Sequence, residues 1–122
     1  MWDGFDKRKF PRLNFKCPVT LQPANSTSSI KTETVNISAG GVCVLLKKSL
    51  HKLAVCRITL KLSKTLPAIK AQGRIVWCVQ TQKSGVRGKY YDTGIEFTDM
   101  DLSLVAMLAS FVERKMNKKQ KP

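Results

Sequence analysis

One short stretch combines compact polar side chains with a pair of glycines, a pattern that suits contact with a ligand. Asn36 and Ser38 are two positions apart, so in an extended chain both side chains point to the same side. Gly40 and Gly41 follow, where the backbone can take positive φ or approach a ligand closely. The apolar run 42–46 comes next and predicts a buried strand. A polar rim carried on a buried strand is therefore a candidate binding site.

A second group lies nearer the amino end, where Arg8 and Arg12 are separated by three residues. Read in order, the two groups form the patterns RxxxR and NxSxxG, and together they resemble the signature of the PilZ domain. Two later segments are similar to other parts of that family, 73–77 to its G-x-V-x-W strand and 93–97 to its closing G-I-E-F strand. The resemblance covers about residues 6–112.

The resemblance implies a bacterial receptor for the second messenger cyclic di-GMP. In the family pattern Arg8 and Arg12 grip guanine edges and phosphate, chemistry that suits the planar fork of arginine. Asn36 stands where the family more often has aspartate, and it would bond the Watson–Crick side of guanine without contributing a negative charge. Ser38 would donate its hydroxyl to a phosphate oxygen or a base, and Gly41 would leave room for the ligand.

Further contacts are open to alternative interpretations. Lys7 and Lys9 flank the first motif and Gly40 lies within the second, so all three are candidate ligand contacts. The positive charge of Lys7 just before RxxxR favours two stacked ligand molecules in the family. Trp77 either stacks on the ligand or lies in the core, since it alternates with buried positions. Without the family pattern, the basic arm would be a solvated charge run and Asn36 and Ser38 a local turn.

Composition narrows the class of protein. At 122 residues the chain predicts one domain, and 22 Lys and Arg against 8 Asp and Glu give a net charge of +14. This excess implies an anionic partner. No run reaches the roughly 18 apolar residues of a membrane span and no signal peptide is evident, so we expect a cytoplasmic protein. The four cysteines lack CxxC spacing and predict buried free thiols.

No catalytic or metal-ligand pattern is evident, so we expect no enzyme, no metal and no cofactor other than the ligand itself. His51 lies in a polar turn and is expected to be exposed. The alternative hypotheses are a basic small barrel that binds nucleic acid, and a PilZ-like pilus-assembly protein that no longer binds nucleotide. The family's usual processes are motility and exopolysaccharide regulation.

Hydrophobic periodicity predicts a mainly β fold, a six-stranded antiparallel β-barrel with a carboxyl-terminal α-helix and a flexible amino-terminal arm. The predicted strands are Leu13–Leu21, Ile30–Ile37, Gly41–Lys47, Cys56–Leu62, Leu66–Gln80 and Lys89–Phe97. Thr98 is the predicted helix cap. The predicted apolar stripe of the helix is Leu102, Val105, Leu108, Ala109, Val112 and Met116. The predicted segments are an arm at 1–12, the barrel at 13–98, the helix at 99–116 and a basic tail at 117–122.

The arm is the expected moving part. Residues 1–12 are expected to be mobile without ligand and to become ordered when it binds, unless Phe5 or Phe10 already attaches the arm to the barrel. Since the domain accounts for the whole chain, the signal is expected to pass to a partner protein in trans.

Overall fold

A computed structural model of the chain describes residues 10–82, 85 and 87–120. For residues 118–120 it describes the backbone only. Over the described residues the order of elements is β1 (Leu13–Asn14), β2 (Pro18–Pro23), β3 (Ile30–Ser38), β4 (Gly41–Leu46), β5 (Val55–Leu60), β6 (Ile69–Thr81), β7 (Tyr90–Phe97) and α1 (Leu102–Gln120). The strands pair antiparallel in the order β1-β3-β2-β5-β6-β7-β4, and β3 also pairs with β4. That last pairing closes a six-stranded barrel to which β1 adds a short extra strand, so the predicted fold class is confirmed.

The core of the barrel contains a row of aliphatic side chains that crosses five strands. Each residue of the row pairs with the next one on the neighbouring strand, from β1 to β6, and each is at least 97% buried. The residues are, in this order, Leu13, Ile37, Val42, Ile95 and Ile75. Since neighbours in a strand point to opposite faces, residues next to this row lie on the outer surface. The inner face is thus filled with buried side chains, and the residues next to the row lie on the outer face.

The predicted first strand, Leu13–Leu21, is divided into two in the structure. β1 pairs Leu13 with Ile37, whereas β2 pairs Val19 with Thr32, so the register shifts by one residue between them. Thr34 bridges the break because its hydroxyl accepts from the Cys17 N–H at 3.0 Å and donates to the Phe15 carbonyl at 2.6 Å. The predicted alternation is retained, since Leu13, Cys17 and Val19 are all buried.

Helix α1 packs on β1 and β3 through Leu108, Phe111 and Val112, which are buried. The Phe111 ring meets Phe15 edge-on at a centroid distance of 5.3 Å. Two predictions about this helix are wrong. Leu102 is 85% exposed and does not belong to the apolar stripe, because it precedes the first turn that reaches the barrel. The helix also continues to Gln120, past the predicted end at 116.

The predicted cap is also wrong, since Asp101 rather than Thr98 caps the helix. The Asp101 carboxylate accepts hydrogen bonds from the Leu104 N–H at 3.0 Å and the Ser103 hydroxyl at 2.6 Å. These hydrogen bonds lower the pKa of Asp101, and the bond from the Ser103 hydroxyl has the largest effect. The Thr98 N–H instead donates to the Gln72 carbonyl at 2.9 Å and continues the sheet.

We expect Asp101→Ala to lower the midpoint of thermal unfolding at neutral pH, whereas Thr98→Ala leaves it unchanged. The pKa of Asp101 is lower in the folded protein than in the unfolded chain. The cap therefore stabilises the fold fully at pH values above the unfolded-state pKa, and this stabilisation is lost as the pH falls through the folded-state pKa. The difference between parent and Asp101→Ala should therefore shrink in acid. Thermal unfolding of the three proteins over a pH series checks this, and an equal loss in Thr98→Ala would contradict the cap assignment.

Candidate functional site

The candidate site is a second row of residues, which lies on the outer face of the barrel beside the buried aliphatic row. Its members are joined by cross-strand pairing from β1 to β6: Asn14, Asn36, Cys43, Gly94 and Trp77. We call these five residues the outer row. Asn36 from the predicted motif and Trp77 are therefore carried on the same surface, although 40 positions separate them in the sequence.

A β-bulge places Trp77 on this surface. Ile75 pairs with Ile95 and Trp77 with Gly94, so Val76 is an extra residue in β6. Without the bulge, Trp77 would share the inner face of Ile75, which was the core alternative. In the structure Trp77 is half-buried and lies on the outer face. The core alternative for Trp77 is therefore wrong, and a contact of its indole with the ligand stays a prediction.

The Trp77 indole lies directly against Gly94. A Cβ atom at position 94 would come within 2.5 Å of the ring atoms Cδ2, Cε2 and Cε3, so a glycine is required for this packing. The guanidinium of Arg12 lies over the indole, with Cζ 5.8 Å from the ring centroid. Arg12, the second arginine of RxxxR, is thereby held against the outer row.

A second β-bulge, at Val35 of β3, precedes Asn36. Thr34 pairs with Val44 and Asn36 with Cys43, so Asn36 turns outward while Thr34 points inward. The Asn36 side chain is half-buried, and its Oδ1 is a buried atom without a hydrogen-bond partner among the described residues. A buried acceptor in this state costs free energy until a donor reaches it.

Ser38 is completely buried, and its hydroxyl makes a local turn. Its Oγ accepts from the Gly40 N–H at 3.0 Å and donates to the Gly41 carbonyl at 3.4 Å. This is the turn alternative for Ser38, and a contact of the hydroxyl with ligand stays a prediction. The described glycines with positive φ are Gly85 and Gly88, so Gly40 and Gly41 do not follow the positive-φ alternative, and close approach of a ligand to their backbone stays a prediction.

The remaining predicted contacts divide between described and undescribed residues. Gly41 is buried and pairs with Ser38 and Glu96, and its role in leaving room for a ligand stays a prediction. Arg8, Lys7 and Lys9 lie outside the described residues. So does Phe5, whereas Phe10 packs against the core cluster. The end of the arm, from Phe10 to Arg12, is thus already in contact with the barrel, which is the exception foreseen for Phe10, and mobility of the arm without ligand stays a prediction.

Cys43 and Asp92 are two outer-face residues that the sequence did not single out. The Cys43 thiol donates to the Asp92 carboxylate, with Sγ 2.9 Å from Oδ1. Burial, followed by this hydrogen bond and the Asp92 charge, raises the pKa of Cys43 to about 12, although the nearby Arg12 charge opposes the shift. The thiol therefore stays protonated at neutral pH. The only sequence signal for Asp92 was an acidic residue inside a strand of a very basic chain.

The predicted free thiols are present: Cys17, Cys43 and Cys56 are buried, and Cys78 is half-buried. His51 is exposed, as expected. Within the described ranges, no group of three His, Cys, Asp or Glu residues could hold a metal ion. None of the helices in that part of the chain is long and apolar enough to cross a membrane.

We expect Gly94→Ala to displace Trp77, because the new methyl group would overlap the indole. In a Trp2→Phe background, where Trp77 is the remaining tryptophan, its fluorescence emission should shift toward that of exposed indole. Gly73→Ala is the matched control, since its Cβ would lie 2.6 Å from Ile58 Cδ1 in the core. That variant should lose about 1–3 kcal/mol of stability without the emission shift. Unchanged emission in Gly94→Ala would contradict the packing of Trp77 on Gly94.

Comparison with known proteins agrees with this architecture. A family model described as the PilZ domain matches residues 6–114. A search of curated proteins finds no match. PilZ domains are receptor and adaptor domains, and no enzyme family is indicated.

Three solved structures share the fold. The Bacillus subtilis inhibitor of motility MotI/DgrA is 20% identical, with a TM-score of 0.79 over 93% of this chain and 53% of that one. The PilZ domain of Escherichia coli YcgR, solved with c-di-GMP, is 12% identical with a TM-score of 0.72, over 93% and 96%. The K. pneumonia MrkH–c-di-GMP complex is 16% identical with a TM-score of 0.74, over 94% and 54%.

These identities establish similarity of fold alone, and this chain spans about half the length of the MotI and MrkH chains. The family match is broader, since it extends from the RxxxR motif to the middle of helix α1. It includes both motifs, every strand of the barrel and the outer row. The chain belongs to the PilZ domain family.

Proposed function

We propose that the chain is a receptor that binds cyclic di-GMP on the outer row and signals to a partner protein. The observation that carries the proposal is the Arg12 guanidinium held over Trp77, on the same surface as the buried Oδ1 of Asn36. A cation and an acceptor on one surface suit a ligand that has both phosphates and base edges. Two of the solved PilZ relatives contain c-di-GMP, which supports the choice of ligand.

Each residue then has a distinct part in the proposed site. Arg12 bonds phosphate or the O6/N7 edge of guanine, and it stacks on the base with the face that does not contact Trp77. Trp77 acts as a positioning residue that holds this guanidinium against the barrel. Asn36 bonds the Watson–Crick edge, and Ser38 keeps the β3–β4 turn in the shape that presents Asn36. Arg8, the first arginine of RxxxR, makes the other arginine contact with the ligand.

We expect Arg12→Ala to weaken binding of cyclic di-GMP by about 1.5–3 kcal/mol, the range for a hydrogen bond to a charged group. The fold should persist, because the aliphatic core does not depend on this side chain. Arg8→Ala should have a comparable effect. Isothermal titration calorimetry measures both, with Arg57→Ala as control, since Arg57 is an exposed arginine on β5. A parent protein that gives no heat and no thermal shift at high micromolar ligand would refute the proposed function.

The proposed signal is a conformational change of the arm. The ligand would bridge Arg8 and Arg12 to Asn36, neutralise the repulsion between the basic arm and the basic barrel, and offset an ordering entropy of about 1–2 kcal/mol per residue. Because Phe10 already packs on the core, the change is expected on its amino-terminal side. The altered surface would then be recognised by the partner protein.

We therefore expect cyclic di-GMP to slow amide hydrogen exchange of residues 5–9 much more than that of strand β5, which carries no residue of the outer row. Exchange followed by mass spectrometry with and without ligand checks this. The Arg12→Ala variant is the control, since it should abolish the ligand-dependent slowing. Equal, strong protection of the arm in both states would place the conformational signal elsewhere.

A further inference from the structure

The carboxylate of Asp92 occupies the same outer surface as Asn36, with strand β4 between them. Asp92 pairs with Leu45 of β4 and Val79 of β6, and it precedes Gly94 by two positions, so it shares the outer face. Its Oδ1 lies 2.9 Å from Cys43 Sγ, and Cys43 is the direct cross-strand neighbour of Asn36. Two oxygen acceptors therefore flank Cys43.

The hydrogen bonding of this carboxylate is weak for its environment. Asp92 is half-buried, and the hydrogen bond that it receives from the described residues comes from a thiol, which is a poor donor. An ionised carboxylate has about four acceptor positions, and partial burial without strong donors costs free energy. Although the chain has 22 Lys and Arg residues, the donor to this carboxylate is a thiol. The carboxylate can therefore accept further hydrogen bonds from the N–H groups of a ligand.

Guanine has the complementary donors. Its Watson–Crick edge presents N1–H and N2–H₂ side by side, and a carboxylate can accept from both. The amide oxygen of Asn36 is a neutral acceptor and supplies none of the charge that strengthens such bonds. A phosphate has no donors and is repelled by a carboxylate, so the phosphates of the ligand must lie toward Arg12 instead.

We propose that Asp92 reads a guanine base of the ligand by accepting hydrogen bonds from N1–H and N2–H₂, and thereby sets base specificity and ligand orientation. The inference rests on the proposed binding of cyclic di-GMP. It assigns to a β7 residue the anionic contact that the second motif lacks because position 36 is asparagine. Cys43 acts as a positioning residue, since its thiol uses one lone pair of Oδ1 and leaves the second lone pair of Oδ1 and the whole of Oδ2 to accept from the two guanine donors.

The test compares cyclic di-GMP with its inosine analogue, which lacks the N2 amine, in titrations of the parent and of Asp92→Asn. The parent should bind cyclic di-GMP about tenfold or more tightly than the analogue, the effect of one hydrogen bond to a charged group. Asp92→Asn should bind cyclic di-GMP about ten- to hundredfold more weakly and should discriminate little between the two ligands. Asp99→Asn, an exposed site with the same change of net charge, is the control and should behave as the parent.

Each other outcome overturns the proposal. Equal weakening of both ligands by Asp92→Asn would mean that Asp92 acts through Arg12 or the fold rather than on the base. Unchanged affinity would show that Asp92 does not touch the ligand, while leaving the receptor function in place. A parent that binds neither ligand would overturn the proposed function itself, so failure of the two proposals can be told apart. Thermal unfolding of Asp92→Asn, expected to match the parent closely, verifies that the variant is folded.

Discussion

Closure of the barrel through the β3–β4 pairing is the constraint on which the rest of the structure depends. It brings Ile37 opposite Val42 and completes the inner aliphatic row from Leu13 to Ile75. Because that row leaves no space inside, polar groups carried by the same strands must face outward or pair locally, as the Thr34 hydroxyl does. The outer row is the direct consequence, since alternation along each strand places a second row of residues on the outer face beside the buried aliphatic row.

Two bulges change this simple alternation at the candidate site. The extra residues Val35 and Val76 lie in different strands, and each immediately precedes a residue of the outer row, Asn36 in one case and Trp77 in the other. A bulge redirects the side chains that follow it while the hydrogen bonding on either side continues. The barrel thus keeps its buried aliphatic side chains and still turns an amide and an indole to one surface.

The candidate site draws one group from each of several elements. Arg12 comes from the segment before β1, Trp77 from β6, Asn36 from β3 and Asp92 from β7. Its charges have opposite signs, with a guanidinium over the indole and a carboxylate bonded to a buried thiol. A ligand that has both anionic groups and hydrogen-bond donors would match this pair of a guanidinium and a carboxylate. Most of the chain's positive charge is spread elsewhere, so the +14 total is a poor guide to this local arrangement.

The sequence by itself determined the fold class, most strand positions and the second motif, because two-residue alternation and the NxSxxG spacing are local properties. Through resemblance to the family, it also predicted that Arg12 belongs to a binding motif. Tertiary structure alone decided that Trp77 faces outward, that Asp101 caps the helix, that Leu102 is exposed and that Cys43 and Asp92 meet beside Asn36. The physical reason is register: a single extra residue in a strand reverses the face of every residue after it, and the partner strands that select the position of that residue are remote in sequence.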